Sequence, residues 1–221
     1  MTVRNGYERI PVKTHLIHIK EPLPPIFDEY VKPVLESGDW LAVSEKFVTI
    51  SQGRVVHESI VQRPGWLAKV LVKGVTKHPD DVGYSDPRKM QVAIMQAGWL
   101  RMFAAGVVGA VSRVVLRRHG DFYRIAGHGV SEIDGFSPAT VEPFNEYAML
   151  SPDDPDGAAT EIASYAGAPV AIVDANNFNI EVLGTSPSFP LDKATVCEVL
   201  RDNPLGQNDE LTPIIVVRRV S

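Results

Sequence analysis

Pro169-Val-Ala-Ile-Val173 runs without a polar side chain and then stops at Asp174-Ala-Asn176. A short apolar run bounded by proline and by turn formers predicts a buried strand. Pro213-Ile-Ile-Val-Val217 gives the same signal near the C-terminus, and Trp40-Leu-Ala-Val43 gives it near the N-terminus. The last is followed, after Ser44-Glu45-Lys46, by a second strand-like run, Phe47-Val-Thr-Ile50, which ends at Gln52-Gly53-Arg54. Polar residues inside a strand-like run suggest that the chain opens onto a site there. Leu16 to Ile19 and Tyr147 to Leu150 are further strand candidates, and Phe178 to Leu183 alternates apolar with polar residues.

Between these runs the spacing becomes helical. Apolar residues at Ile26, Phe27, Tyr30, Val31, Val34 and Leu35 follow a helical rhythm, and helices are expected over Trp66–Val75 and Lys193–Arg201. Asp86-Pro87 and Asp154-Pro155 are helix starts: the carboxylate caps free amides, and proline takes the first position, where its missing N–H costs nothing. The first opens a long apolar region from Lys89 to about Val115, with breaks expected at Gly98 or Gly106; the second opens Ala158–Tyr165. Arg117 to Asp121 reads as a hairpin turn before a strand at Phe122–Ile125. Residues 127–146 are rich in Gly, Ser and Pro, and an irregular segment of that length is often functional. Strands and helices mix without a regular βαβ rhythm, so the expected class is α+β, with mixed sheets packed against helices.

A chain of 221 residues fits one large domain or two small ones. The expectation is a single region over residues 1–221 with room for two intertwined subdomains, a helical insert occupying about 64–117. Net charge is −5, which argues against general nucleic-acid binding. The one cysteine, Cys197, lies in the apolar rhythm of Ala194, Val196, Val199 and Leu200 and reads as a buried structural thiol. The N-terminus lacks a signal-peptide apolar core, and Met102–Ser112 offers eleven uncharged residues between Arg101 and Arg113. A membrane span needs about 20. The Gly106–Gly109 spacing there reads as a buried packing surface. A cytoplasmic protein without a membrane partner is expected.

Asp174 is the strongest candidate for chemistry, because a carboxylate at the end of a buried strand is well placed to meet a ligand. Asp174, Asn176 and Asn177 equally suit turns and caps. Gly206-Gln207-Asn208-Asp209-Glu210 clusters hard oxygen donors suited to Mg²⁺ or Mn²⁺, or forms an ordinary polar loop. Ser44-Glu45-Lys46 and Thr49-Ile50-Ser51-Gln52-Gly53-Arg54 combine hydroxyls with two cations that can hold phosphate oxygens. Neither a P-loop nor a Gly-x-Gly-x-x-Gly motif occurs. His15 and His18 would point to opposite faces of a strand, whereas His128 sits between glycines where a ligand could approach.

These fragments have the order found in the coenzyme F420-0:L-glutamate ligase (F420-0:gamma-glutamyl ligase) family, which the chain resembles as a divergent member. Pro11-Val12 precedes His15-Leu16-Ile17-His18; Gly38-Asp39-Trp40-Leu41-Ala42-Val43 precedes Glu45 to Arg54; then come Arg118-His119-Gly120 and Leu150-Ser-Pro152-Asp153-Asp154-Pro155-Asp156. Val173-Asp174-Ala175-Asn176-Asn177-Phe178 and Gly206-Gln207-Asn208-Asp209-Glu210-Leu211-Thr212-Pro213 complete the series.

The resemblance implies a ligase-like fold in which GTP (or ATP), with Mn²⁺ or Mg²⁺, activates a carboxylate of the deazaflavin precursor as an acyl phosphate, and glutamate's α-amine then forms the amide. It implies Asp174 and Gln207 as metal ligands. His15, Leu16, Ile17, His18, Glu45, Lys46, Arg54, Asn176, Gln207 and Asp209 would flank the nucleotide, and the protein would be a homodimer. The chain departs from the family pattern at Gly129, where a metal-binding aspartate is expected and which Glu132 or Asp134 could replace. It departs also at Ile50, in place of a lysine, and at Ala175, Asn177 and Phe178. These departures leave an alternative: a non-catalytic nucleotide- or cofactor-binding homologue on the same scaffold.

Overall fold

Four of the six strands of the main sheet are the runs on which the sequence reading rests. The computed structural model describes residues 2–74, 86–115, 117, 120–127, 130, 133–137, 140–175, 180–206 and 210–220. In chain order, strands β1 (Thr2–Arg4) and β2 (Tyr7–Val12) form a hairpin, and α1 (Leu23–Ile26) runs into a π-helical turn at Phe27–Val31. Then come β3 (Trp40–Ser44), α2 (Glu45–Ser51), β4 (Val55–His57), α3 (Trp66–Gly74), α4 (Pro87–Ala97), α5 (Trp99–Val115) and α6 (Asp121–Ala126). They are followed by β5 (Tyr147–Met149), α7 (Pro155–Ala166), β6 (Val170–Ala175), β7 (Ile180–Thr185), α8 (Lys193–Leu200) and β8 (Ile214–Arg219). The class is α+β.

The chain divides into two compact units, Met1–Arg54 with Pro152–Ser221, and Val55–Ser151. The first unit holds a six-stranded sheet in the order β1-β2-β8-β3-β6-β7, in which only β3 and β6 run parallel. Both faces are dry. Trp40, Ala42, Ala171, Val173, Ile215 and Val217 pack with Val196, Val199 and Leu200 of α8. Leu41, Val43, Val170, Ile172, Ile214 and Val216 on the other face are all buried as well. A strand covered on both sides has no use for alternation, which is why β3, β6 and β8 read as unbroken apolar runs. Helix α7 packs against β6 and β7. It lies so close that a Cβ on Gly184 would stand 2.6 Å from the Asp156 amide nitrogen, so only glycine fits there.

Both Asp-Pro starts are helix N-termini. Asp86 accepts from the Arg88 amide at 2.7 Å, and Asp154 from that of Gly157 at 3.1 Å. The long apolar region breaks at Gly98 (φ 89°), and α4 and α5 meet at a 117° bend. In the second unit α3, α4, α5 and α6 enclose a core that includes Leu67, Val92, Ile94, Met102 and Ile133, beside the two-stranded sheet β4-β5. Among the described residues no single helix is long and apolar enough to cross a membrane.

Four readings are corrected. Phe47–Ile50 is helical, within α2, and all four residues are buried. A short apolar run that is enclosed on every side satisfies either geometry, and only its surroundings choose between them. Phe122–Ile125 belongs to helix α6 rather than a strand. Leu16–Ile19 is no strand, because β2 ends at Val12. Beyond it the backbone bonds locally instead: the Glu21 amide donates to the His18 carbonyl at 3.0 Å and the Lys20 amide to that of Ile50 at 3.0 Å. Finally, α5 buries Met102, Ala105 and Ser112 but leaves Phe103, Val107 and Val111 exposed, so the Met102–Ser112 surface is only half covered.

Candidate functional site

Strand pairing brings distant segments to one end of the main sheet. Val12 pairs with Ile214, Val43 with Ile214 and Ser44 with Val173, so β2, β3 and β6 all finish where β8 begins. Past the ends of β2 and β3 lie the segment His15–His18 and Glu45 with Lys46; Asp174 is within the last pairs of β6, and Leu211–Pro213 lead into β8 there. Backbone bonds join them: the Thr14 amide donates to the Leu211 carbonyl at 2.9 Å and the Ser44 amide to that of Pro213 at 2.8 Å.

Asp174 is half-buried and directly opposite Glu181 across the β6–β7 ladder. Two carboxylates facing each other repel unless a cation or donor stands between them. Glu181 drew no attention in the sequence. The signal was the register of Phe178–Leu183 against the preceding strand, which a single chain does not reveal. Among the described residues no group of three His, Cys, Asp or Glu side chains is gathered as a metal cluster. Asn176, Gln207 and Asp209 lie outside the described residues, as do Arg118, His119, His128, Gly129, Glu132, Asn177 and Phe178.

His15 and His18 do not point apart. Their rings lie 6.5 Å from centroid to centroid, because the segment turns instead of extending. Glu21 organises the turn: Oε1 is 2.9 Å from His15 Nε2, and Oε2 accepts from the His18 amide at 2.6 Å. On the other side of His15, Nδ1 is 3.2 Å from the Tyr30 hydroxyl. If the phenol donates to Nδ1 and Nε2–H donates to Glu21, every group in the chain is satisfied. Partial burial works to raise the pKa of Glu21, but the hydrogen bonds from the His18 amide and from His15, with the electrostatic influence of the two imidazoles, outweigh it and hold the carboxyl below its usual value. Partial burial and Glu29 push the Tyr30 phenol up, which keeps it a donor. Leu16 is half-buried and Ile17 is buried, so the two histidines are the exposed residues of this segment.

Glu45 is half-buried and Lys46 exposed at the start of α2. Arg54 follows the far end of that helix, about 10 Å along. There its guanidinium lies 4.0 Å from Asp153, and Gln52 exchanges two hydrogen bonds with the Asp153 backbone, at 2.8 and 3.1 Å. Arg54 therefore serves the exit of α2, while Glu45, Lys46, Asp174 and the histidine segment share the sheet end. Lys20 runs beside α2, its stem over Gly53 (φ 69°), where a Cβ would meet it at 2.6 Å. Asp134, in the second unit, is exposed and exchanges backbone bonds with Met149. Cys197 is half-buried with its thiol on the Ile180 carbonyl, and burial pushes its pKa up, as befits a structural thiol.

No protein-family model matches the chain, and no characterised protein matches it significantly in sequence. What the fold defines is an α+β protein built on a mixed six-stranded sheet.

Proposed function

We propose that the chain is a cytoplasmic, nucleotide- and divalent-metal-dependent ligase that forms an amide between a carboxylate, of the coenzyme F420 precursor type, and glutamate. The observation that carries this reading is that four segments singled out by the resemblance adjoin one sheet end: His15–His18, Glu45–Lys46, Asp174, and Leu211–Pro213. They are separated by up to two hundred residues in sequence, and nothing in an unrelated fold requires them to meet.

In this reading Asp174 holds the divalent ion, with Gln207 as the ligand implied by the resemblance and Glu181 as a second carboxylate across the ladder. Hard oxygen donors suit Mg²⁺ or Mn²⁺. Such an ion, when bound, offsets the charge of the nucleotide's phosphates. Lys46 adds a cation for the transferred phosphate, and the His15–His18 turn, fixed by Glu21, lines the nucleotide. The buried strands beneath exclude water, which an acyl phosphate requires.

Incubation with GTP or ATP, Mn²⁺, glutamate and the deazaflavin precursor should release phosphate and add one glutamyl mass to the precursor. Absence of product with both nucleotides would sink the ligase reading. A second reading, a binding homologue without turnover, is favoured by one observation: Ile50, where the resembled family carries a lysine, is buried at 5% exposure within α2 and offers no cation. Metal-dependent thermal stabilisation by a nucleotide without phosphate release would select it.

A further inference from the structure

His57 closes strand β4 opposite Tyr147 of β5 and is followed by a single 3₁₀ turn, Glu58–Ile60. Its imidazole is held at both nitrogens. Nε2 lies 3.0 Å from Glu146 Oε2, and Nδ1 lies 2.7 Å from the Ser59 hydroxyl and 3.2 Å from the Ser59 amide. These contacts fix the tautomer. An ionised carboxylate only accepts, so Nε2 carries the hydrogen that Glu146 receives; a backbone amide only donates, so Nδ1 presents its lone pair. The Ser59 hydroxyl, at that same nitrogen, is therefore a donor to a base.

The orientation of the ring is fixed as well. Tyr147 meets the imidazole edge-on, with ring centroids 4.8 Å apart and planes at 73°. Arg88 anchors the turn that carries Ser59, its guanidinium 2.7 Å from Glu58 Oε2, and the Val61 amide closes that turn on the Glu58 carbonyl at 3.0 Å. Ser59 is exposed, and the side chains of His57 and Glu146 are 34 and 58% exposed, so a reagent can reach the hydroxyl.

We propose that Ser59, His57 and Glu146 form a relay of nucleophile, base and positioning carboxylate that transfers acyl groups from small carboxylic esters to water. Ser59 Oγ attacks the ester carbonyl carbon while its proton passes to His57 Nδ1. The bond to the leaving oxygen then breaks, and the departing alcohol takes that proton from Nδ1. Water attacks the seryl ester in turn and gives a proton to Nδ1; the acid departs as Ser59 Oγ regains the proton. An alcohol hydrogen-bonded to an imidazole whose other nitrogen is held by a carboxylate is the arrangement that makes serine nucleophilic, whatever fold surrounds it. A turn cap explains less: the amide bond to Nδ1 already serves the cap, and it calls for neither the hydroxyl nor Glu146. The open setting suits small esters with good leaving groups, and Ile60, the next residue, is 64% exposed and offers apolar surface to a short acyl chain. All three residues lie in the Val55–Ser151 unit and none belongs to the proposed ligase site, so the inference does not rest on that reading.

Hydrolysis of p-nitrophenyl acetate by the full chain, with neither nucleotide nor divalent metal present, tests it. The parent protein should release a burst approaching one p-nitrophenolate per chain and then turn over steadily. Ser59→Ala, which keeps the backbone amide bond and spares the fold, should lose both phases, and His57→Gln should slow turnover about 100-fold. Glu146→Gln should lower kcat at unchanged KM, with part of the rate restored in Glu146→Asp. A fluorophosphonate, which loses fluoride as Ser59 Oγ bonds to phosphorus, should label Ser59 in the parent, as read by mass spectrometry, and leave it unlabelled in His57→Gln. The proposal is overturned by a parent that neither hydrolyses the ester nor takes the label, by equal rates in Glu146→Gln and the parent, or by hydrolysis that survives Ser59→Ala, which would assign the nucleophile to a histidine.

Discussion

Arg9 is 2% exposed and donates to the Val199 carbonyl (3.2 Å), the Thr2 hydroxyl (2.9 Å) and the Asp202 carboxylate. Burial works to raise the pKa of Asp202, but the hydrogen bond from Arg9 and the nearby charges of Arg9 and Arg4 hold it below the usual carboxylate range. A carboxyl depressed in the folded state contributes stability above its unfolded value and loses it as pH falls through the folded one. Asp202→Asn should therefore lower the urea midpoint at neutral pH, and the gap from the parent should close below about pH 4. A gap that stays constant with pH would contradict the ion pair. Gly184 is a second residue whose role depends on a neighbour: Gly184→Ala must displace the α7 backbone, and overpacking of this kind costs about 1–3 kcal/mol. Equilibrium urea unfolding measures it. Asp174→Ala separates site from scaffold. Asp174 is half-buried at a strand end, so the variant should unfold near the parental midpoint. It should also lose the Mn²⁺-dependent thermal shift with nucleotide.

Elements differ in how far local chemistry decides them. The Asp-Pro starts of α4 and α7 are local devices, one carboxylate satisfying one amide, and they were legible from two adjacent letters. Asp86→Ala removes the bond to the Arg88 amide and should destabilise the protein by about 1 kcal/mol. A loss below a few tenths, in urea, would mean that the ion pair from Arg88 to Glu58 at 2.7 Å and the stacking of Arg88 over Phe136 hold the helix end alone. Helix α2 is the opposite case. Phe47-Val-Thr-Ile is rich in β-formers, yet it coils because Phe47, Val48, Thr49 and Ile50 must all be enclosed between neighbouring segments. Likewise β1 and β2 carry little apolar signal, since Pro11 and several charged residues interrupt them. β2 is a strand because β8 offers six consecutive partners, from Tyr7↔Arg219 to Val12↔Ile214, and β1 because it pairs in turn with β2.

At the scale of the molecule, the sheet order sets the ends of β2, β3 and β6 beside the start of β8 and so brings the candidate residues to one end of the sheet. On the proposed reading, Asp174→Ala should abolish stabilisation by nucleotide with Mn²⁺, whereas Val107→Glu, on the exposed side of α5 in the Val55–Ser151 unit, should leave it unchanged. Calorimetry with nucleotide and Mn²⁺ checks both variants, and loss of stabilisation in Val107→Glu would contradict that placement of the site.

The sequence by itself determined the α+β class, the buried runs at β3, β6 and β8, the capped helix starts and the candidate status of Asp174, and it narrowed the helix break to Gly98 or Gly106. All of these depend on periodicity, caps and backbone preferences that act over a few residues. Tertiary structure alone decided that Phe47–Ile50 is helical, that Asp174 faces Glu181, that Glu21 ties His15 to His18, and that half of α5 stays uncovered. Each depends on a partner distant in the chain or on what packs against a surface. Such pairings are fixed by the burial of whole faces, which no short window of sequence contains.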